Sequence, residues 1–182
     1  MQYLHHNRNV STPDRQQHTK IEGDQVIVNA LALDITHGGD ERYWHIDEES
    51  RSAELKRVSW LEVTGSIDMI HLEAEATYKL EFKIRMKPGA DGWNECPVYI
   101  MVKPGKGKKF IWAKVTLNQN EGEQRVPSDV QFTTPLSTVD DKVSFALLDV
   151  WNQRYKNGLV IEEVVISKVP VTVAQSTADN HV

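Results

Sequence analysis

The sequence predicts an all-β fold, an antiparallel sandwich of the jelly-roll kind in a single domain. Three observations carry that expectation. In Tyr78-Lys79-Leu80-Glu81-Phe82-Lys83-Ile84-Arg85-Met86 apolar and charged residues alternate without exception, the period of a strand with one buried and one wet face. Ile111, Ala113, Val115 and Leu117 alternate in the same way with Phe110, Trp112, Lys114 and Thr116. The short apolar segments are punctuated by turn chemistry rather than by helical stretches, which is the pattern of a sandwich or jelly roll.

Taken in order, residues 1–24 are polar and mix Arg8, Arg15 and Lys20 with Asp14, Glu22 and Asp24, so they are expected to form a flexible tail. Strands are expected at 25–35, 42–47, 58–67, 78–86, 97–103, 111–117, 142–150 and 159–169. The segment from Glu48 to Arg57 has room for a helical turn or a loop. Turns fall at Pro88-Gly89-Ala90-Asp91-Gly92, Pro104-Gly105-Lys106-Gly107 and Asn157-Gly158. Residues 171–182 read as a second flexible tail, leaving one folded unit over 25–170 with no internal repeat.

Composition narrows the function. At 182 residues and 40% hydrophobic content the chain can bury a core without disulfides. Its net charge of −5 argues against nucleic acid as the main partner, because phosphate binding needs a basic field. The single cysteine, Cys96, has no partner for an intramolecular disulfide. No stretch reaches the roughly 20 apolar residues of a membrane span, and Met1 to Arg8 lacks the apolar centre of a signal peptide. A reducing, cytosolic compartment follows from these features.

Signatures of hydrolases, phosphate loops, zinc helices and dinucleotide sites are absent. A carboxylate pair for glycoside hydrolysis, Asp149 with Glu162 or Glu163, is open on sequence alone. The lysines Lys103, Lys106, Lys108 and Lys109 fit a solvated hairpin tip better than a phosphate patch. The tryptophans carry more information. Trp60 alternates with Val58 and is expected within a sheet face. Trp44 follows the turn signal Gly38-Gly39-Asp40 and is expected to reach solvent. Trp93 and Trp151 stand near strand ends, where sandwich loops gather. An exposed indole has a natural partner in the apolar face of a sugar ring, and Asp149 and Asn152 could add fixed polar groups.

The run Tyr43-Trp44, then Ala53-Glu54-Leu55, Val58-Ser59-Trp60-Leu61 and Gly65, resembles the opening of the plant phloem lectin domain, that of phloem protein 2 and the tobacco lectin Nictaba. Asp91-Gly92-Trp93 and Tyr155-Lys156-Asn157-Gly158-Leu159 resemble that family's later motifs, in order and at the right spacing. The resemblance covers about residues 30–168. It implies a non-catalytic β-sandwich lectin of the plant cytoplasm, nucleus or phloem sap, needing no metal or cofactor. Such a lectin binds N-acetylglucosamine oligomers and glycoproteins with related N-glycan cores, and often forms a homodimer. The site it implies has Trp44 as the stacking platform and Asp149 as the acceptor, with His37, Tyr43 and Asn152 around them. Two positions depart from the tobacco-lectin pattern: His37 stands where that pattern has Trp, and Ser144 and Asp149 stand where it has two Glu. A protein-interaction module of the same fold is the competing reading.

Overall fold

The computed structural model describes residues 7–120 and 122–171. In chain order the elements are helix α1 (Thr12–Gln17), strands β1 (Thr19–Glu22), β2 (Gln25–Asn29), β3 (Asp34–Ile35), β4 (Trp44–Asp47), β5 (Ser52–Leu55), β6 (Leu61–Asp68), β7 (Thr77–Asp91), β8 (Val98–Pro104), β9 (Ile111–Val115), β10 (Glu123–Val126), β11 (Gln131–Thr133), β12 (Lys142–Asp149) and β13 (Asn157–Lys168). Short 3-10 turns, Ala30–Ala32 and Met69–His71, follow β2 and β6. Among the described residues no helix is long and apolar enough to cross a membrane.

The strands form two antiparallel sheets, as the alternation predicts. One has five strands in the order β3-β6-β12-β8-β9. The other has eight: β1-β2-β13 continues to β7, β7 carries β10 and β11, and β5-β4 pairs with the early part of β13. In β7 the strict alternation holds: Tyr78, Leu80, Phe82, Ile84 and Met86 are buried. The intervening charges pair on the outer face, with Lys83 Nζ 3.1 Å from Glu162 Oε2 and Lys79 Nζ 2.8 Å from Glu81 Oε1.

The core lies between the sheets. Leu61, Val63 and Ile67 of β6, Val143, Phe145 and Leu147 of β12, and Val98, Ile100 and Val102 of β8 face Leu80, Phe82 and Ile84 of β7 and Val164 and Ile166 of β13. Phe82 and Phe145 meet edge to face across the core, 6.1 Å between centroids, the arrangement the ring quadrupoles favour. A side chain at Gly65 would collide with the Phe145 ring, its Cβ falling 2.5 Å from the ring edge, so glycine there makes room for the larger residue opposite.

Four sequence expectations are corrected. The segment expected to be a flexible tail carries α1 and β1 from Thr12 onward; the C-terminal tail, apart from Val171, lies outside the described residues. Residues 7–24 are tied down at both sheets. β1 pairs with β2, while Arg8 bridges Ile35 at the β3 edge. Arg15 donates to the Ala32 carbonyl at 2.6 Å and pairs with Asp34 at 2.8 Å. These bonds use backbone groups and arginine tips, so they leave no hydrophobic pattern to read. Second, the Glu48–Arg57 segment forms a hairpin into β5 rather than a helical turn. Third, β7 runs through Pro88-Gly89 to Asp91. The turn comes at Gly92 (φ +90), where a Cβ would meet the Tyr155 carbonyl. Fourth, β10 and β11 fall in a stretch with no expected strand.

Candidate carbohydrate-binding face

The structure separates the five residues singled out in the sequence. Trp44 is not a platform. It begins β4, pairs with Leu55 of β5 and is only 1% exposed. Its Nε1 finds no hydrogen-bond partner among the described residues, so its burial rests on packing alone. Asp149 is buried at the end of β12, where its Oδ2 lies 2.6 Å from the buried Nζ of Lys156. Its Oδ1 accepts from the backbone N–H of Asn152 at 3.3 Å. Asn152 is spent in the same turn: its Nδ2 donates to Cys96 Sγ at 2.9 Å and its Oδ1 accepts from the Arg154 N–H at 3.0 Å. Lys156 Nζ donates onward to the Arg154 carbonyl at 3.1 Å. The Asp149 carboxylate is therefore a structural partner of Lys156 and turned away from solvent.

His37 and Tyr43 are half-buried neighbours, with ring centroids 5.1 Å apart. The Arg42 guanidinium lies 5.4 Å from the Tyr43 ring and is held by Asp40, whose hydrogen bond and charge raise its pKa further. The Tyr43 carbonyl accepts from Lys56 N–H at 2.8 Å, and Val58 bridges Lys156. Backbone thus connects this pair to the Asp149 turn, while the side chains form two separate groups. The carboxylate pair considered for hydrolysis is also separated. Glu162 belongs to β13 in the other sheet and is held there by Lys83 and Arg85.

A different surface brings rings and acceptors together: the outer face of the five-stranded sheet. Strand register defines its rows. Glu62 of β6 stands beside Leu148 of β12, Leu148 beside Tyr99 of β8, and Tyr99 beside Lys114 of β9. The adjacent row runs Asp34, Thr64, Ala146, Met101, Trp112. Trp60, Trp112 and Trp151 are 47%, 58% and 64% exposed. Tyr99 links two of them, with its centroid 5.8 Å from Trp112 and 4.9 Å from Trp151. On the β6 side Trp60 Nε1 donates to Glu62 Oε2 at 2.8 Å, and the Thr36 hydroxyl donates to the same oxygen at 3.1 Å. Asp34 is already occupied by Arg15 and by the Val10 N–H at 2.7 Å.

On the same face the small residues Thr64, Ser66, Ser144 and Ala146 line an open groove of about 530 Å³ together with Glu62, Met101 and Phe110. Exposed flat rings on the same face as a groove bearing hydroxyls, with a carboxylate whose second oxygen has no hydrogen-bond donor among the described residues, suit a ligand with apolar faces and hydroxyl edges. The sequence reading placed Trp60 in a sheet face but in phase with Val58. In the structure the phase shifts before Leu61, so Leu61, Val63, Gly65 and Ile67 face inward, and Trp60 joins Glu62, Thr64 and Ser66 outside. The usable signal was the two-residue spacing from Trp60 to Glu62.

The chain matches the family described as Phloem protein 2 over residues 23–168. It is 42% identical over 158 residues to PHLOEM PROTEIN 2-LIKE A9 of Arabidopsis thaliana, covering 79% of this chain and 87% of that one. A protein named lectin from Luffa acutangula is 26% identical over 151 residues, 80% of this chain and 71% of its own. Another, from Coccinia grandis, is 27% identical over 119 residues, 62% and 71% respectively. Among solved structures, the CBM22-1 xylan-binding domain of Paenibacillus barcinonensis Xyn10C overlaps 80% of this chain and 86% of that one, with 6% identity and a TM-score of 0.41. The family match runs across the two sheets almost end to end, from the turn before β2 to the last residue of β13: the chain belongs to the phloem protein 2 family.

Proposed function

We propose that this protein is a carbohydrate-binding lectin without catalytic activity. Its ligands are N-acetylglucosamine oligomers and glycoproteins carrying related N-glycan cores. The observation that carries the reading is the outer face of the five-stranded sheet, where Trp60 bonds to Glu62, Tyr99 packs against the exposed rings of Trp112 and Trp151, and Glu62, Thr64, Ser66 and Ser144 line an open groove on the same face. Its membership of the family and the lectin names of two relatives support it. In this reading a ring stacks on the apolar face of a sugar while Glu62, Thr64 and Ser144 meet hydroxyl and acetamide edges. The protein acts in the plant cytoplasm, phloem sap or nucleus, as a homodimer.

Titration calorimetry with chitotriose tests the reading. Trp60→Ala and Trp151→Ala should each weaken binding by about 2 kcal/mol or more, the scale of a stacking anchor, while leaving the melting temperature nearly unchanged. Full affinity in both folded variants would remove the outer face from the site. A glycan array blank for N-acetylglucosamine oligomers would favour the protein-interaction reading.

A further inference from the structure

The sandwich has two long sides, and they are finished differently. Along the β2 and β3 side, residues 7–22 staple the sheets together, with β1 on one sheet edge and Arg8 on the other. Along the opposite side β9 ends the five-stranded sheet. It pairs with β8, and among the described residues its backbone makes no other hydrogen bond. A cleft of about 540 Å³ lies beside it, between Trp112–Thr116 and Arg125–Asp129. The edge is apolar as well as open: Phe110, Ile111 and Trp112 are all exposed. An unpaired edge bearing large apolar residues is normally covered, because its free backbone groups template another strand.

We propose that β9 pairs antiparallel with β9 of a second copy about a two-fold axis at Ala113, joining two five-stranded sheets into one of ten strands. The strand is complementary to itself. In the register that pairs all of Ile111–Val115, Ile111 faces Val115 of the partner subunit on the inner side. Trp112 faces the partner's Lys114 on the outer side, and the axis repeats both pairs. Residues opposite each other have Cβ atoms about 5 Å apart, which puts each ammonium within cation–π reach of an indole. No like charges face each other in this register. The closed two-fold satisfies both β9 edges at once, leaving neither β9 strand to recruit a third copy.

The pairing changes the sugar-binding face. The row Glu62, Leu148, Tyr99, Lys114 continues into the partner's Trp112, so each site gains a ring from the other subunit. Both grooves open on the same side of the particle, and a ligand with two epitopes can engage both. The inference rests on the homodimeric reading above and adds the surface; it does not depend on the sugar.

Light scattering and an engineered thiol test it together. The wild-type protein should run at twice its 20.8 kDa monomer mass. Ala113→Cys should oxidise to a covalent dimer, since the two thiols flank the axis and native Cys96 is buried. Lys20→Cys, on exposed β1, should not. Ile111→Asp should weaken the dimer at least tenfold while circular dichroism remains that of the wild type. A monomeric wild-type protein at the concentrations used for sugar titration overturns both the dimer and the interface. A dimer in which Ala113→Cys fails to cross-link overturns the β9 interface alone.

Discussion

Lys156 Nζ lies 2.6 Å from Asp149 Oδ2, and both side chains are sealed from solvent at the end of the sandwich. The pair joins the last residue of β12 to the start of β13. The turn between them holds Trp151, whose exposed ring leans on Tyr99. A buried ion pair gives little net stability over apolar residues of the same size, but removing one partner strands the other charge. Asp149→Ala or Lys156→Met alone should cost about 3–5 kcal/mol of stability. The double replacement Asp149→Leu/Lys156→Met should lose much less. Chemical denaturation of the three variants checks this, and a mild effect of either single change would show the pair to be solvated.

Trp44 and Trp60 have exchanged the roles expected from sequence. Trp44→Ala should destabilise by about 3–5 kcal/mol, the cost of emptying a buried aromatic site. Trp60→Ala should leave stability within about 0.5 kcal/mol, as for exposed positions, and reduce chitotriose affinity. Paired melting and calorimetry on the two variants separate these outcomes.

Deleting residues 1–24 should lower the melting temperature clearly. It removes the β1 pairing, the Arg8 bridge to β3 and the Arg15 contacts with Ala32 and Asp34. Arg15→Ala alone should cost about 1–3 kcal/mol, because its hydrogen bonds are charge-assisted and partly buried. A melting curve unchanged by the deletion would show that the segment does not hold the sheets together.

Acid should act on the turn between β4 and β5. The Asp47 carboxyl is held below its usual range, first by the Ser50 hydroxyl and then by the Ser50 N–H, which donates to Oδ1 at 3.2 Å. A depressed carboxylate contributes stability above its unfolded pKa of about 4 and loses it as pH falls through the lower folded value. The stability gap between the wild type and Asp47→Asn should therefore be constant near neutrality and narrow below about pH 4. Melting curves across pH 2–7 measure it; a gap independent of pH would remove the turn's dependence on the charge.

The legibility of the chain follows the size of its physical signal. β7 and β12 were readable because burial on one face imposes a period of two over many residues. The β1 edge was not, since its four residues are exposed or half-buried and pair through backbone alone. The Asp149–Lys156 pair looked like two ordinary surface charges, because sequence does not show which acid and base meet out of water. Trp60 was misread because the strand starts at Leu61 instead of Val58: an odd shift reverses every facing, and local composition does not mark the start. His37 and Tyr43 do come together, but away from the open groove.

The pleat of β12 separates two kinds of change that selection can act on. Phe145 and Leu147 point into the core, where the ring meets Gly65 and Phe82, and few replacements fit. Ser144 and Ala146, one position away along the same strand, form the floor of the outer groove. Replacements there alter the groove's depth and hydrogen bonding without touching the packed side. Single substitutions on the outer face of β12 can thus reshape an exposed surface while the inner face, and with it the fold, is left as it was.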